Sequence, residues 1–111
     1  MDAGRRAQWL RGVLDLCVLG LLAEGESYGY ELVRQLETAG LGDIRGGTLY
    51  PVLLRLQQAG LVAARWRSGD SGPARKYYRL TANGRTVLRD EAAQWRDFGG
   101  RVDAILQGVV T

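Results

Sequence analysis

Gly46-Gly47-Thr48-Leu49-Tyr50-Pro51-Val52-Leu53-Leu54-Arg55-Leu56-Gln57-Gln58-Ala59-Gly60 carries a start signal, a helical body and a stop. Thr48 is a suitable N-cap, because its hydroxyl can accept from a free N–H of the first turn. Pro51 then falls in that turn, where a missing N–H costs little. Leu49, Val52, Leu53 and Leu56 recur at the three-to-four spacing of one buried helical face, and Tyr50, Arg55, Gln57 and Gln58 fall away from it. Gly60 closes the helix, since glycine enters the left-handed conformation cheaply. The outward side therefore carries a phenol near the N-terminus and a guanidinium one to two turns later. Such a face suits a DNA major groove, where Arg reads guanine edges and first-turn N–H groups hold phosphate. Taken alone, the stretch is better read as a core helix with a solvated outer face; the segment beyond Gly60 tips the balance.

The chain has 111 residues, a length that favours one domain with a thin core. Its formal charge of +3 and pI of about 9.4 allow nucleic acid without demanding it. Basic charge is almost all Arg, with Lys76 the only lysine. Arg suits bidentate phosphate and base contacts. Histidine is absent, which removes the commonest general base and the commonest metal ligand. Cys17 is the only cysteine, so no intrachain disulfide and no thiolate zinc site can form. Neither a metal nor a cofactor is expected. A reduced, cytoplasmic setting fits. Residues 13–23 are apolar apart from Asp15 but too short to span a bilayer, so no membrane partner is expected.

Working backwards from Gly46, Ser27 is a natural N-cap for a helix from Tyr28 to about Ala39, with Gly40 as its stop. Leu32, Val33 and Leu36 form its inner stripe, leaving Tyr28, Tyr30, Arg34 and Gln35 for the surface. Further back, Trp9 to Ala23 reads as one helix, apolar on nearly every face and hence buried between its own domain and something else. Residues 1–8 read as a polar lead-in. Cys17, inside the apolar run, reads as a small buried hydrophobe rather than a reactive thiol.

Beyond Gly60 the period changes from helical to alternating. Leu61–Arg67 and Arg75–Leu80 read as strands, and Ser68-Gly69-Asp70-Ser71-Gly72-Pro73-Ala74 as the loop of a hairpin. Arg65, Arg67, Arg75, Lys76 and Arg79 face a single acid, Asp70, and two phenols lie among them. A basic hairpin interleaved with aromatics suits phosphate and sugar contact, although a lone one is more often a charged edge.

The order helix–helix–helix–hairpin is more specific than any of its pieces. It predicts a mainly α chain with a small β-hairpin (α+β): a winged helix-turn-helix unit over residues 1–80 and a long C-terminal helix over residues 81–111. Tyr28-Gly29-Tyr30-Glu31-Leu32, Gly47-Thr48-Leu49-Tyr50-Pro51-Val52-Leu53, Arg55-Leu56, Gly60-Leu61-Val62 and Arg75-Lys76-Tyr77-Tyr78-Arg79-Leu80-Thr81 resemble the signature blocks of the PadR family of bacterial transcriptional regulators. The resemblance runs from about Leu10 to Leu106 and points to the short form with a single C-terminal dimerisation helix. It implies a homodimeric winged-helix protein, usually a repressor, that leaves a double-stranded, palindromic DNA operator when a small molecule binds. Family contacts to DNA come from the second helix, the N-terminal half of the third and the wing. On this chain those map to Tyr28, Thr48, Tyr50, Arg55, Arg75 and Lys76.

Thr81 caps the last helix, which runs to about Gly108, and Gly84 stands where a complete capping box would have Glu. Leu88, Ala92, Trp95, Gly99, Val102, Leu106 and Val109 alternate by four and three, a heptad seam. The seam outlasts the small body it could cover, which favours another chain as its partner; the dimerisation residues are then Leu88, Ala92, Trp95, Val102 and Leu106. Gly99-Gly100 in mid-helix costs roughly 1 kcal/mol per glycine and predicts a kink or a close backbone approach.

In some relatives of the resembled family, a tryptophan at the matching place stacks on flat aromatic ligands. Trp95 matches by its position between Thr81 and Arg101-Val102-Asp103, although its spacing to that segment departs from the ligand-binding pattern. An aromatic effector would then meet Trp95, Phe98 and Trp9, with Asp15, Gln94 or Asp103 as polar partners. The equal alternative is that Trp95 is simply the largest core residue of the dimer. Two other readings compete with a ligand-responsive repressor: a winged helix serving protein–protein contact without DNA or effector, and a DNA-binding protein without effector. An enzyme is not expected, since Asp15, Glu24, Glu26, Glu31 and Glu37 show no convergence with a base or a metal.

Overall fold

The computed structural model describes residues 3–69 and 72–109, so Asp70 and Ser71 of the expected hairpin loop lie outside the described residues. In chain order the elements are α1 (Ala3–Arg11), α2 (Leu14–Leu22), β1 (Ser27–Tyr28), α3 (Gly29–Thr38), α4 (Gly46–Gln58), β2 (Val62–Arg67), β3 (Arg75–Leu80) and α5 (Ala82–Leu106). The three strands form one antiparallel sheet in the order β1-β3-β2. This is the expected α+β winged-helix arrangement, with one strand more than the sequence suggested.

The leading segment departs from expectation. Residues read as a polar lead-in form α1, and the single helix expected over Trp9–Ala23 is two helices. Gly12 N–H donates to the Trp9 carbonyl (3.3 Å) and Val13 N–H to the Leu10 carbonyl (2.9 Å), tight turns that end α1 and re-aim the chain. The run contains two glycines, poor helix formers both; α2 continues through Gly20, and the break falls at Gly12-Val13. Leu14, Val18, Leu19 and Leu22 are buried, but Trp9 remains 58% exposed. Cys17 is half-buried, and burial raises its thiol pKa, which keeps it protonated and fits the space-filling reading.

Ser27 does not cap α3. It is a strand residue opposite Tyr78, and the extended Tyr28 occupies the cap position without a side-chain bond. A partner 51 positions away in sequence overrides the local capping signal here. Thr48 likewise does not cap α4: the helix starts two residues earlier, after Arg45, and the Thr48 N–H already donates to the Arg45 carbonyl at 2.9 Å. Pro51 consequently lies past the first turn, inside the helix. The stops behave as read. Gly40 (φ 81°) and Gly60 (φ 78°) are left-handed. After each, the next N–H reaches back into the helix: Leu41 to Leu36 (3.1 Å) and Leu61 to Leu56 (3.0 Å).

The core gathers Leu14, Val18 and Leu22 from α2, Leu32 and Leu36 from α3, and Leu49, Val52, Leu53 and Leu56 from α4, closed by Val62, Tyr78 and Leu80 of the sheet. Thr81 caps α5 as expected, its Oγ1 accepting from Gly84 N–H at 3.0 Å and donating to the Gly60 carbonyl at 2.7 Å. Gly84 has a packing role that the capping box did not suggest: a Cβ there would stand 2.0 Å from the Leu61 carbonyl oxygen. α5 runs uninterrupted through Gly99-Gly100, without the expected kink, and among the described residues no other backbone approaches there; the Trp95 ring of the preceding turn lies 3.3 Å from where a Gly99 Cβ would be. The N-terminal half of α5 packs on α2, with Leu88 against the core, while its distal half extends from the body of a molecule measuring 54 × 30 × 20 Å.

Candidate nucleic-acid interface

The start of α3, the outer side of α4 and the wing formed by β2 and β3 converge on one groove of about 450 Å³. Tyr28, Tyr50, Arg75 and Lys76, four of the six residues expected to meet DNA, line it together with Gly29, Tyr30, Trp66 and Tyr78. Two glycines set its depth. A Cβ at Gly29 would stand 2.4 Å from the Tyr50 hydroxyl, and one at Gly46 would stand 3.2 Å from its ring, so the phenol lies flat across the starts of α3 and α4. Burial raises the Tyr78 pKa, helped by the neighbouring Tyr50, so the Tyr78 phenol stays a neutral hydrogen-bonding group at this wall. The free first-turn N–H groups of α3 border the same space and favour an anion there.

Register divides the wing into two faces. Ala63, Arg65, Arg67, Arg75, Tyr77 and Arg79 share the outer one; Val62, Ala64, Trp66, Lys76, Tyr78 and Leu80 share the inner one. On the outer face Arg65 donates to both carboxylate oxygens of Glu26 (3.2 and 2.9 Å), and Arg67 donates to Oε1 at 2.9 Å. Arg67 also sits 4.5 Å over the Tyr77 ring, Tyr77 meets Tyr28 edge-on at 5.2 Å, and Arg75 sits 4.5 Å over Tyr28. The row thus runs from a carboxylate-bound end to Arg75 at the groove mouth. Hydrogen bonding to Arg65 is the main cause of a Glu26 pKa below the usual carboxylate range. On the inner face Lys76 reaches over Tyr78 at 5.5 Å.

Thr48 and Arg55 lie apart from this groove. They line a second one with Asp15, between α4 and the first two helices, where Arg55 donates to the Asp15 carboxylate at 2.8 Å. Asp15 is therefore also separated from the aromatic residues expected to hold an effector. Those three do come together: Trp9, Trp95 and Phe98 line a mainly apolar groove of about 700 Å³ between α1 and α5, joined by Val102, Asp103 and Leu106 but not by Asp15. Of the expected dimerisation residues, Leu88 and Ala92 are half-buried against their own domain, while Trp95, Val102 and Leu106 stay 47%, 43% and 53% exposed. Trp66, Gly29 and Glu26 join the site without having been expected there. Trp66 shares the alternation of buried Val62 and so reads as inward-facing, and the partners of Gly29 and Glu26 are non-local.

Among the described residues no helix is long and apolar enough to cross a membrane, and no group of His, Cys, Asp and Glu could hold a metal ion. Residues 18–90 match the family described as the transcriptional regulator PadR-like family. A transcriptional regulator of Mycobacterium tuberculosis is 36% identical over 84 residues, covering 76% of this chain and 77% of its own. The solved structure of a PadR family transcriptional regulator from Eggerthella lenta is 42% identical with a TM-score of 0.80, covering 90% of this chain and 87% of that one. A PadR-like transcriptional regulator from Bacillus cereus is 36% identical with a TM-score of 0.81, covering 90% and 97%. These relatives are regulators rather than enzymes. The chain belongs to the PadR-like family of transcriptional regulators.

Proposed function

We propose that the protein acts in the cytoplasm as a homodimeric repressor, binding a palindromic operator through residues 1–80 and dimerising through residues 81–111. The observation that carries this reading is the groove in which the start of α3, Tyr50 of α4 and the wing cations Arg75 and Lys76 meet. A helix N-terminus and two cations offer phosphate contacts, and the polar side of α4 offers base contacts. Thr48 and Arg55 extend the contact along α4 if the Asp15–Arg55 ion pair opens or turns toward a base. Dimerisation is supported by the apolar side of α5, where Phe98 is 65% and Ile105 81% exposed beside the heptad seam. An unpartnered face of this kind favours association.

The groove lined by Trp9, Trp95 and Phe98 supports the second part of the reading: a flat aromatic effector binds there and releases the operator, with Asp103 as its polar partner in place of Asp15. Duplex titration tests the first part. Arg75→Ala and Lys76→Ala should each weaken binding to all sequences and make the salt slope shallower by about one unit; unchanged slopes in both would remove the wing from the interface. Saturable quenching of indole emission by planar aromatic compounds, lost in Trp95→Phe, tests the second. A broad panel without saturable binding would rule the effector out.

A further inference from the structure

Trp66 is the most exposed aromatic side chain among the described residues, at 68%. Strand alternation places it on the inner face of β2, where Val62 is buried and Ala64 half-buried. That face begins in the core and leaves the domain as the wing projects. β2 is an outer strand of the sheet, and the residue opposite Trp66 on β3 is Lys76. The wing therefore presents an indole and an ammonium side by side, roughly 5 Å apart at Cβ. Both line the groove that also holds Tyr50 and Arg75. The described residues leave most of Trp66 uncovered. The apolar face of α5 lies against a different groove, with Trp9, so Trp66 is not part of that seam.

We propose that Trp66 is a DNA-contact residue whose indole packs on the deoxyribose of a duplex lying across Tyr50, with Lys76 on the adjoining phosphate. The inference rests on the DNA-binding reading and assigns to that site a contact of a different physical kind. A sugar presents C–H groups that suit a ring face, and it alternates with phosphate along the strand, as the indole alternates with the ammonium across the wing. The Trp66 contact carries no charge and displaces no counterion. It should add affinity without adding salt dependence, whereas Lys76 adds both.

Wild type, Trp66→Ala, Trp66→Phe and Lys76→Ala are to be titrated with one duplex over a range of salt concentrations. Trp66→Ala should bind on the order of tenfold more weakly, in line with the loss of one aromatic contact to nucleic acid, and at every salt concentration alike. Trp66→Phe should recover most of the loss. Lys76→Ala should instead flatten the slope by about 0.9. Because Trp66 is exposed, its variants should melt like wild type, and an unfolded Trp66→Ala would itself contradict the assignment. If wild type binds and Trp66→Ala binds equally well, or if its slope falls as that of Lys76→Ala does, the proposal is overturned while the DNA reading stands. A wild-type protein that binds no duplex removes both.

Discussion

Glu26→Gln is the most informative single change in the wing. The carboxylate is 20% exposed and holds Arg65 and Arg67, which are themselves 61% and 51% exposed. It thus occupies two of the wing's cations while leaving both within reach of solvent. A glutamine keeps the shape and one acceptor but removes the charge, so both guanidinium groups are released toward any phosphate that comes near. Each further phosphate neutralised steepens the salt slope by about 0.9. Going from about 50 to about 200 mM salt, one freed arginine changes the drop in affinity by roughly 3.5-fold, and two change it by roughly 12-fold. The expected result in a fluorescence-anisotropy titration is tighter binding at low salt to operator and unrelated duplex alike, with the steeper slope. Weaker binding with an unchanged slope would refute this reasoning and make Glu26 a brace for the wing. The sign of the pH effect follows from the lowered Glu26 pKa. Its contribution is complete above the ordinary carboxylate range and is lost only as pH falls through the depressed folded value. Between neutral and mildly acid conditions, DNA affinity should therefore not change through Glu26.

Two glycines of α5 should respond to alanine with opposite signs. At Gly84 the new Cβ would lie 2.0 Å from a backbone oxygen that cannot swing away, so overpacking of about 3 kcal/mol should outweigh about 1 kcal/mol of helix propensity, and urea midpoints should fall. At Gly100 nothing lies within 4 Å, and alanine should stabilise the chain by roughly 1 kcal/mol; a loss there would mean that a second chain approaches closely at that point. Val102→Asp places a charge in the 43% exposed seam, and sedimentation should show monomer or unfolded chain for it and a dimer for wild type even at low concentration. A well-folded wild-type monomer at micromolar concentration would remove the dimer from the account.

The sequence was most legible where a feature depends on near neighbours. The stops at Gly40 and Gly60, the buried stripe of α4 and the Thr81 cap rest on residues within a few turns, and the hairpin on two strands that follow one another directly in the chain. It was least legible where a distant partner decides. Ser27 has the chemistry of a cap but is taken into the sheet by Tyr78. Thr48 also looks like a cap, yet the chain is already helical from Gly46, where the absent side chain gives room to the Tyr50 ring. Gly84 reads as an incomplete capping box until the Leu61 carbonyl is seen against it. The same distinction separates the parts of the candidate site. Tyr28, Tyr50, Arg75 and Lys76 meet because β1 and β3 pair and α4 packs beside them. Arg55 follows Tyr50 by five positions, about 140° around α4, and so stands on another flank, where its guanidinium pairs with Asp15. Periodicity along one strand could not show that the Trp66 face leaves the core, because that depends on how far the wing projects.

Selection of bound sequences from random duplex DNA decides whether the protein reads a symmetric operator. Two α4 helices and two wings related by a dyad should enrich an inverted repeat whose half-sites lie about one helical turn, or a multiple of it, apart. Enrichment of no sequence, or of a single half-site without symmetry, would contradict the account of a dimeric operator-binding regulator.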